Sequence, residues 1–448
     1  MPWLTPPRPA LLAVFLLLLP LPAVAVDAPL PAVLEGHAVL PAMTRIDPPA
    51  DAPNLVRSSG KFTGPGNRRA GVEAAPGSQG GTLPVPGQPL QGISSLRRGP
   101  DGSLWGLSDN GFGAKANSAD ALLPIHRLRL NWQTGAVERL QTLWLSDPDR
   151  RFPWPVTLEG SETRYLTGAD LDPESLVVTA DGFWVGDEFG PWLLRFDRQG
   201  RLQALYETEV DGRVVRSPDH PQVRLPATPD QPAMFEVGRS RGFEGLTASA
   251  DGTRLYALLE GPVWNEGQPE RWADGKLRLR WLEFDPAAGR WTGQDRVYPL
   301  EAEGNAIGEA TLLPDGRLLV LERDEGEGDA ARACVHGQPA TGCFRRPARF
   351  KRLYLLRMEG GDGSTLIKQG HVDLLAIPDP ERRARQGGAG DRFRFPFATI
   401  ESVVFLGDGR VVVANDNNLP FSAGRAPDRP DDTEFILLRI PALTAPVE

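Results

Sequence analysis

The chain has 448 residues, 40% apolar and 24% charged, an ordinary globular composition that excludes a disordered or fibrous protein. A formal net charge of −9 leaves no broad positive field to draw in a nucleic-acid backbone, so nucleic acid is excluded as a partner. The high counts of Gly (49) and Pro (44) argue against long helices and for many short strands joined by tight turns. The chain opens on an export signal: Arg8 precedes the apolar run Ala10 to Leu19, Pro20 and Pro22 break it, and Ala23-Val24-Ala25 supplies a small-x-small cleavage pattern. Residues 1–25 are expected to be removed near Ala25, leaving a periplasmic or secreted chain with no membrane span and an expected monomeric state.

Residues 26–91 are weakly patterned. Within them Leu34 to Leu40 alternates as a strand does and fits beside Phe435 to Ile440 as a closing strand, whereas Asp47 to Gly87 is rich in Pro and Gly. Beyond this segment one unit recurs. Asp-Gly pairs stand at 101–102, 181–182, 251–252, 315–316 and 408–409, each between two short apolar runs. Strand, Asp-Gly turn, strand is the signature of a β-hairpin. Further strand pairs follow, such as His126 to Leu130 with Val137 to Leu143, and Trp192 to Phe196 with Leu202 to Tyr206. Sets of strands recurring about every 65 to 95 residues predict an all-β chain folded as a β-propeller. Five blades are visible, and residues 26–91 leave a sixth open. The uneven spacing puts long loops on one face, at 144–172, 207–240, 262–276, 324–350 and 378–398.

A carboxylate opens the first strand of most units. Glu174, Glu244 and Glu401 stand seven residues before their Asp, Glu309 stands six before Asp315, and Ser94 takes the place in the first unit. Acidic residues also close the second strands: Asp109, Asp187 with Glu188, Glu260, Glu322, and Asp416. A hairpin brings the start of one strand and the end of its antiparallel partner to the same edge. The first strand of a blade is innermost, so these carboxylates should converge at one mouth of the channel. Like charges that close stay ionised together only with something positive among them. Calcium, which takes six to eight oxygen ligands in flexible geometry, is the expected cofactor, with Glu174, Glu244, Glu309, Glu401, Asp109, Asp187 and Asp416 as ligands. Arg241, Arg323 and Arg425 flank the acidic ends and are expected to hold a substrate anion. Glu188 and Glu260 are the candidates for general base, by position.

Other motifs carry less. Gly238-Arg239-Ser240-Arg241-Gly242 matches Gly-x-Ser-x-Gly, but a nucleophile elbow needs a helix after it, and here a propeller strand follows. None of the five histidines falls in the repeat at the mouth, so serine–histidine hydrolysis finds no partner. Cys334 and Cys343 are the only cysteines; in an exported chain they are expected to form a disulfide, since a zinc site would need further ligands.

The blocks Asp172-Pro173-Glu174-Ser175-Leu176, Gly186-Asp187-Glu188-Phe189-Gly190, Arg241-Gly242-Phe243-Glu244-Gly245-Leu246 and Asn415-Asp416-Asn417-Asn418 carry a resemblance. They resemble the phytase-like domain of exported bacterial proteins called "esterase-like activity of phytase", with coverage from about Gly92 to Arg439. The resemblance implies a phytase-like β-propeller domain over 92–448 and a calcium-dependent hydrolase of small phosphate esters or other esters. Two alternatives stand beside it: a calcium-stabilised propeller that binds an envelope partner or glycan without catalysis, and a lactonase-like propeller.

Overall fold

The structure, a computed structural model, describes residues 28–63, 83–224, 226, 228, 234–272, 274–337, 342–427 and 429–444. The expected export signal at 1–25 lies outside the described residues. Strands and three short 3-10 turns make up the regular structure of the described residues. None of their helices is long and apolar enough to cross a membrane.

The chain folds into a β-propeller. Among the described residues five sheets hold four or five strands each, and the remaining sheets are short two- and three-stranded ones. The inner strand of each large sheet is the first strand of a predicted hairpin: Ile93–Arg98, Pro173–Val178, Phe243–Ala248, Ala306–Leu312 and Ile400–Gly407. We number the blades one to five in that order. The outermost strand of the fifth blade comes from the other end of the chain, where Val33–Leu40 lies antiparallel to Thr433–Arg439. Ala28–Pro29 adds a short parallel edge to the fourth blade.

Hydroxyl side chains join the inner strands into a ring. Ser95 Oγ accepts from Leu176 N at 3.2 Å, Ser175 Oγ donates to Phe243 O at 2.7 Å, and Thr247 Oγ1 accepts from Leu312 N at 3.1 Å. Thr311 Oγ1 donates to Val403 O at 2.7 Å, and Ser402 Oγ donates to Ile93 O at 3.1 Å, which closes the circle. Ser and Thr serve here because their short side chains reach a neighbouring backbone without occupying the channel.

The core lies between blades, because alternate residues of a strand face opposite sides of its sheet. In the second blade Phe183 and Val185 pack toward the first, while Trp184 packs toward the third. In the fourth blade Leu318 and Val320 face the third, while Leu319 and Leu321 face the fifth. Ala38 and Leu40 of the closing strand enter the core between the fifth blade and the first, beside Phe435, Val412 and Leu96.

Candidate metal centre at the propeller mouth

Each inner hairpin carries an irregularity near the start of its first strand. The pairing skips one residue between Pro173 and Ser175, between Phe243 and Gly245, and between Ile400 and Ser402. It does the same between Ile93 and Ser95 and between Ile307 and Glu309. The skipped residues are Glu174, Glu244, Glu401, Ser94 and Gly308. A bulge leaves one residue unpaired and re-aims its side chain, and here it turns three glutamates into the mouth.

Those glutamates line a cavity of about 400 Å3 together with Asp109, Asp172, Glu188, Glu260 and Asp416. Two groups are close enough to share an ion: Asp172, Glu174 and Glu188, and Glu174, Glu244 and Glu401, each offering oxygens within 4.8 Å of one another. Glu174 belongs to both. The backbone sets the second-strand ends: Glu188 N donates to Asp172 O at 3.0 Å and Glu260 N donates to Gly242 O at 2.8 Å. Asp172 accepts from Asn110 N at 3.3 Å.

The electrostatics are those of crowded acids in a dry place. Burial, then the charges of Asp172, Glu244 and Glu401, pushes the Glu174 carboxyl well above the usual carboxylate range. Burial followed by Glu401 and Glu260 does the same to Glu244, and burial followed by Glu260 to Glu188. Burial raises Asp109 as well, with Asp416 adding to it, and lifts Asp172 to about 6. Glu188 Oε1 and Glu244 Oε1 are buried with no hydrogen-bond partner. A buried carboxylate oxygen without a donor costs free energy that a cation would return. The donor set is all oxygen, which suits a hard divalent ion such as calcium. The residues therefore fit the metal.

Two arginines reach the same mouth. Arg323 donates to Glu401 Oε1 at 2.8 Å and lies 3.9 Å from Glu260 Oε1. Arg241 pairs with Glu260 and, at 3.4 Å, with Glu325.

Three residues singled out in the sequence lie elsewhere. Glu309 follows the bulge of its blade instead of occupying it, and its carboxylate binds Arg97 Nη1 at 2.8 Å and Ser95 Oγ at 2.7 Å. The first and fourth blades are not ring neighbours, so this pair spans the channel. Arg97 also donates to Leu246 O of the third blade. Asp187 accepts from Asp172 N at 2.8 Å and Gly190 N at 2.7 Å, so it braces the loop that carries Asp172. Burial raises its carboxyl to about 8. Arg425 binds Glu434 at 2.6 Å and lies over the rings of Phe393 and Phe397. Asp172 is a ligand-group member that hairpin reasoning passed over, although it opens the Asp172-Pro173-Glu174 block that carries the family resemblance; Glu188, expected as a general base, belongs to the same group. Cys334 and Cys343 form a disulfide, nine residues apart in sequence.

Comparison with known proteins agrees with the family resemblance. An uncharacterized secreted protein of Arthroderma benhamiae is 28% identical over 288 residues, which cover 52% of this chain and 56% of that protein. The chain thus spans about half the length of the curated relative it matches. Among solved structures, a Dyadobacter fermentans protein of unknown function aligns over 91% of this chain and 99% of its own, at 11% identity and a TM-score of 0.38. The periplasmic gluconolactonase of Pseudomonas aeruginosa aligns over 77% of this chain and 88% of its own, at 14% identity and a TM-score of 0.31. Likeness at that level carries nothing about chemistry. The relation that does carry weight is in the sequence itself: residues 88–419 match the phytase-like family described as "Esterase-like activity of phytase", and the chain belongs to that family.

Proposed function

We propose that this protein is an exported, calcium-dependent hydrolase of phosphate or other esters whose reaction takes place at the acidic mouth. The observation that carries the reading is the pair of carboxylate groups sharing Glu174, with Glu188 Oε1 and Glu244 Oε1 buried and unpartnered inside them. A bound divalent cation would polarise the ester and lower the pKa of a bound water. Asp172, Glu174 and Glu188 would hold one ion, and Glu174, Glu244 and Glu401 a second position. Glu260 stands outside both groups, which leaves it to accept a proton from water at the cluster, while Arg241 fixes its position. Arg323 and Arg241, each held on a carboxylate, would fix Glu401 and Glu260 in place beside the ions. The disulfide supports export into an oxidising compartment.

The test is an assay of phytate, a generic phosphomonoester and a generic carboxyl ester, with calcium or with EDTA. Turnover of at least one ester is expected with calcium alone, and Glu244→Gln or Glu401→Gln should lower it by at least about tenfold. Calcium binding without turnover of any of them would leave a calcium-braced binding propeller instead.

A further inference from the structure

The two sides of the mouth differ in chemistry. On the side of the adjacent first and fifth blades, Gly113 and Ala114 are exposed at the cavity wall, with Phe112 and Phe421 packed together behind them. The Phe421 ring lies just behind the ledge, within ordinary contact distance (3.9 Å) of a methyl group placed at Gly113. Across the ring, where the third and fourth blades meet, the wall is Ser240, Arg241 and Glu325.

The charge balance of this cavity limits what can enter. Its lining holds nine carboxylates against two arginines, an excess of seven negative groups when all are ionised. Both arginines are already engaged, Arg241 with Glu260 and Arg323 with Glu401. Two divalent cations would offset four of the negative charges, and one anionic group on a ligand could sit against those cations. A second or third anionic group would find no further cationic side chain among the lining residues and would lie against carboxylates, which repel it.

We propose that the mouth takes a compact ester bearing at most one anionic group and an apolar substituent, with the apolar part on the Gly113–Ala114 ledge and the ester over the carboxylate cluster. This rests on the reading of the mouth as an ester-hydrolysing site. It excludes polyphosphorylated compounds as preferred substrates.

The test uses the full chain with calcium and four substrates: p-nitrophenyl phosphate, methyl phosphate, p-nitrophenyl acetate and phytate. One of the aryl esters is expected to exceed phytate in kcat/KM by roughly tenfold or more. The variant Ala114→Gln, which puts a polar, uncharged group on the ledge, should raise KM for that aryl ester several-fold, raise it less for methyl phosphate and leave the melting temperature unchanged. Phytate hydrolysed as well as the aryl esters, or an aryl-to-methyl preference untouched by Ala114→Gln, would overturn the inference while leaving ester hydrolysis in place. No turnover of any of the four would overturn the underlying reading and this inference with it.

Discussion

Arg97 and Glu309 show how much one residue of offset can do. Seven residues before Asp315 stands Gly308, not a glutamate, and a Cβ there would come within 2.1 Å of Ile400 O, so the bulge of the fourth blade has no room for a side chain. Glu309, one step later, points to the axis and is fully buried against Arg97. Removing one partner of a buried pair leaves an uncompensated charge, so Arg97→Met should cost roughly 3–5 kcal/mol in urea unfolding. The double variant Arg97→Met with Glu309→Met should recover most of that loss; a single variant as stable as the parent would contradict the pairing. Residue by residue, the acidic mouth was legible where the seven-residue spacing held, at Glu174, Glu244 and Glu401. It was misread at Glu309, where the spacing of six already marked the exception, and at Asp187 and Arg425, which spend their side chains on nearby chain, Asp187 on the backbone of Asp172 and Gly190 and Arg425 on Glu434, an engagement that residue type and position alone do not show.

The closing strand turns an open row of blades into a ring. Val33–Leu40 covers the outer edge of Thr433–Arg439, which would otherwise present unpaired backbone groups. Ala38 is fully buried in the core between the fifth and first blades, whereas Val33 in the same strand is 38% exposed. Ala38→Asp buries an unpaired charge and should lower stability by about 3 kcal/mol or more, read as a large fall in melting temperature. Val33→Asp should change it by no more than about 0.5 kcal/mol. Equal effects at the two positions would mean that the strand does not hold the ring. Elements with their own alternation or turn chemistry could be read from sequence, and this strand is one of them. The two-residue edges Ala28–Pro29 and Ser364–Thr365 could not, because they owe their strand character to the neighbour they pair with.

Over the whole molecule, the five inner strands meet at the mouth, so an ion bound there ties blades two, three and five to one point. Such a ligand binds the folded ring and not the unfolded chain. Calcium at a hundred times its dissociation constant should therefore stabilise the protein by about 2.7 kcal/mol. Melting followed with EDTA and with calcium reads this directly, and an identical melting temperature in both would sink the channel-cation idea. The β-propeller was legible at this scale because five turns repeat the same local grammar. The substrate was not, because loops from different blades build the cavity wall and only folding brings Ala114, Phe421 and Arg241 to one place.

The Arg97–Glu309 crossbar adds one more consequence. Counted from the bulge position of its own strand, Glu309 lies one residue farther along and Arg97 three, so the bridge crosses the channel beyond the level of the bulge glutamates. A side-chain bridge at that level obstructs the axis below the mouth. For the hydrolysis proposed above, exit through the mouth would share its path with entry, so product would compete with substrate.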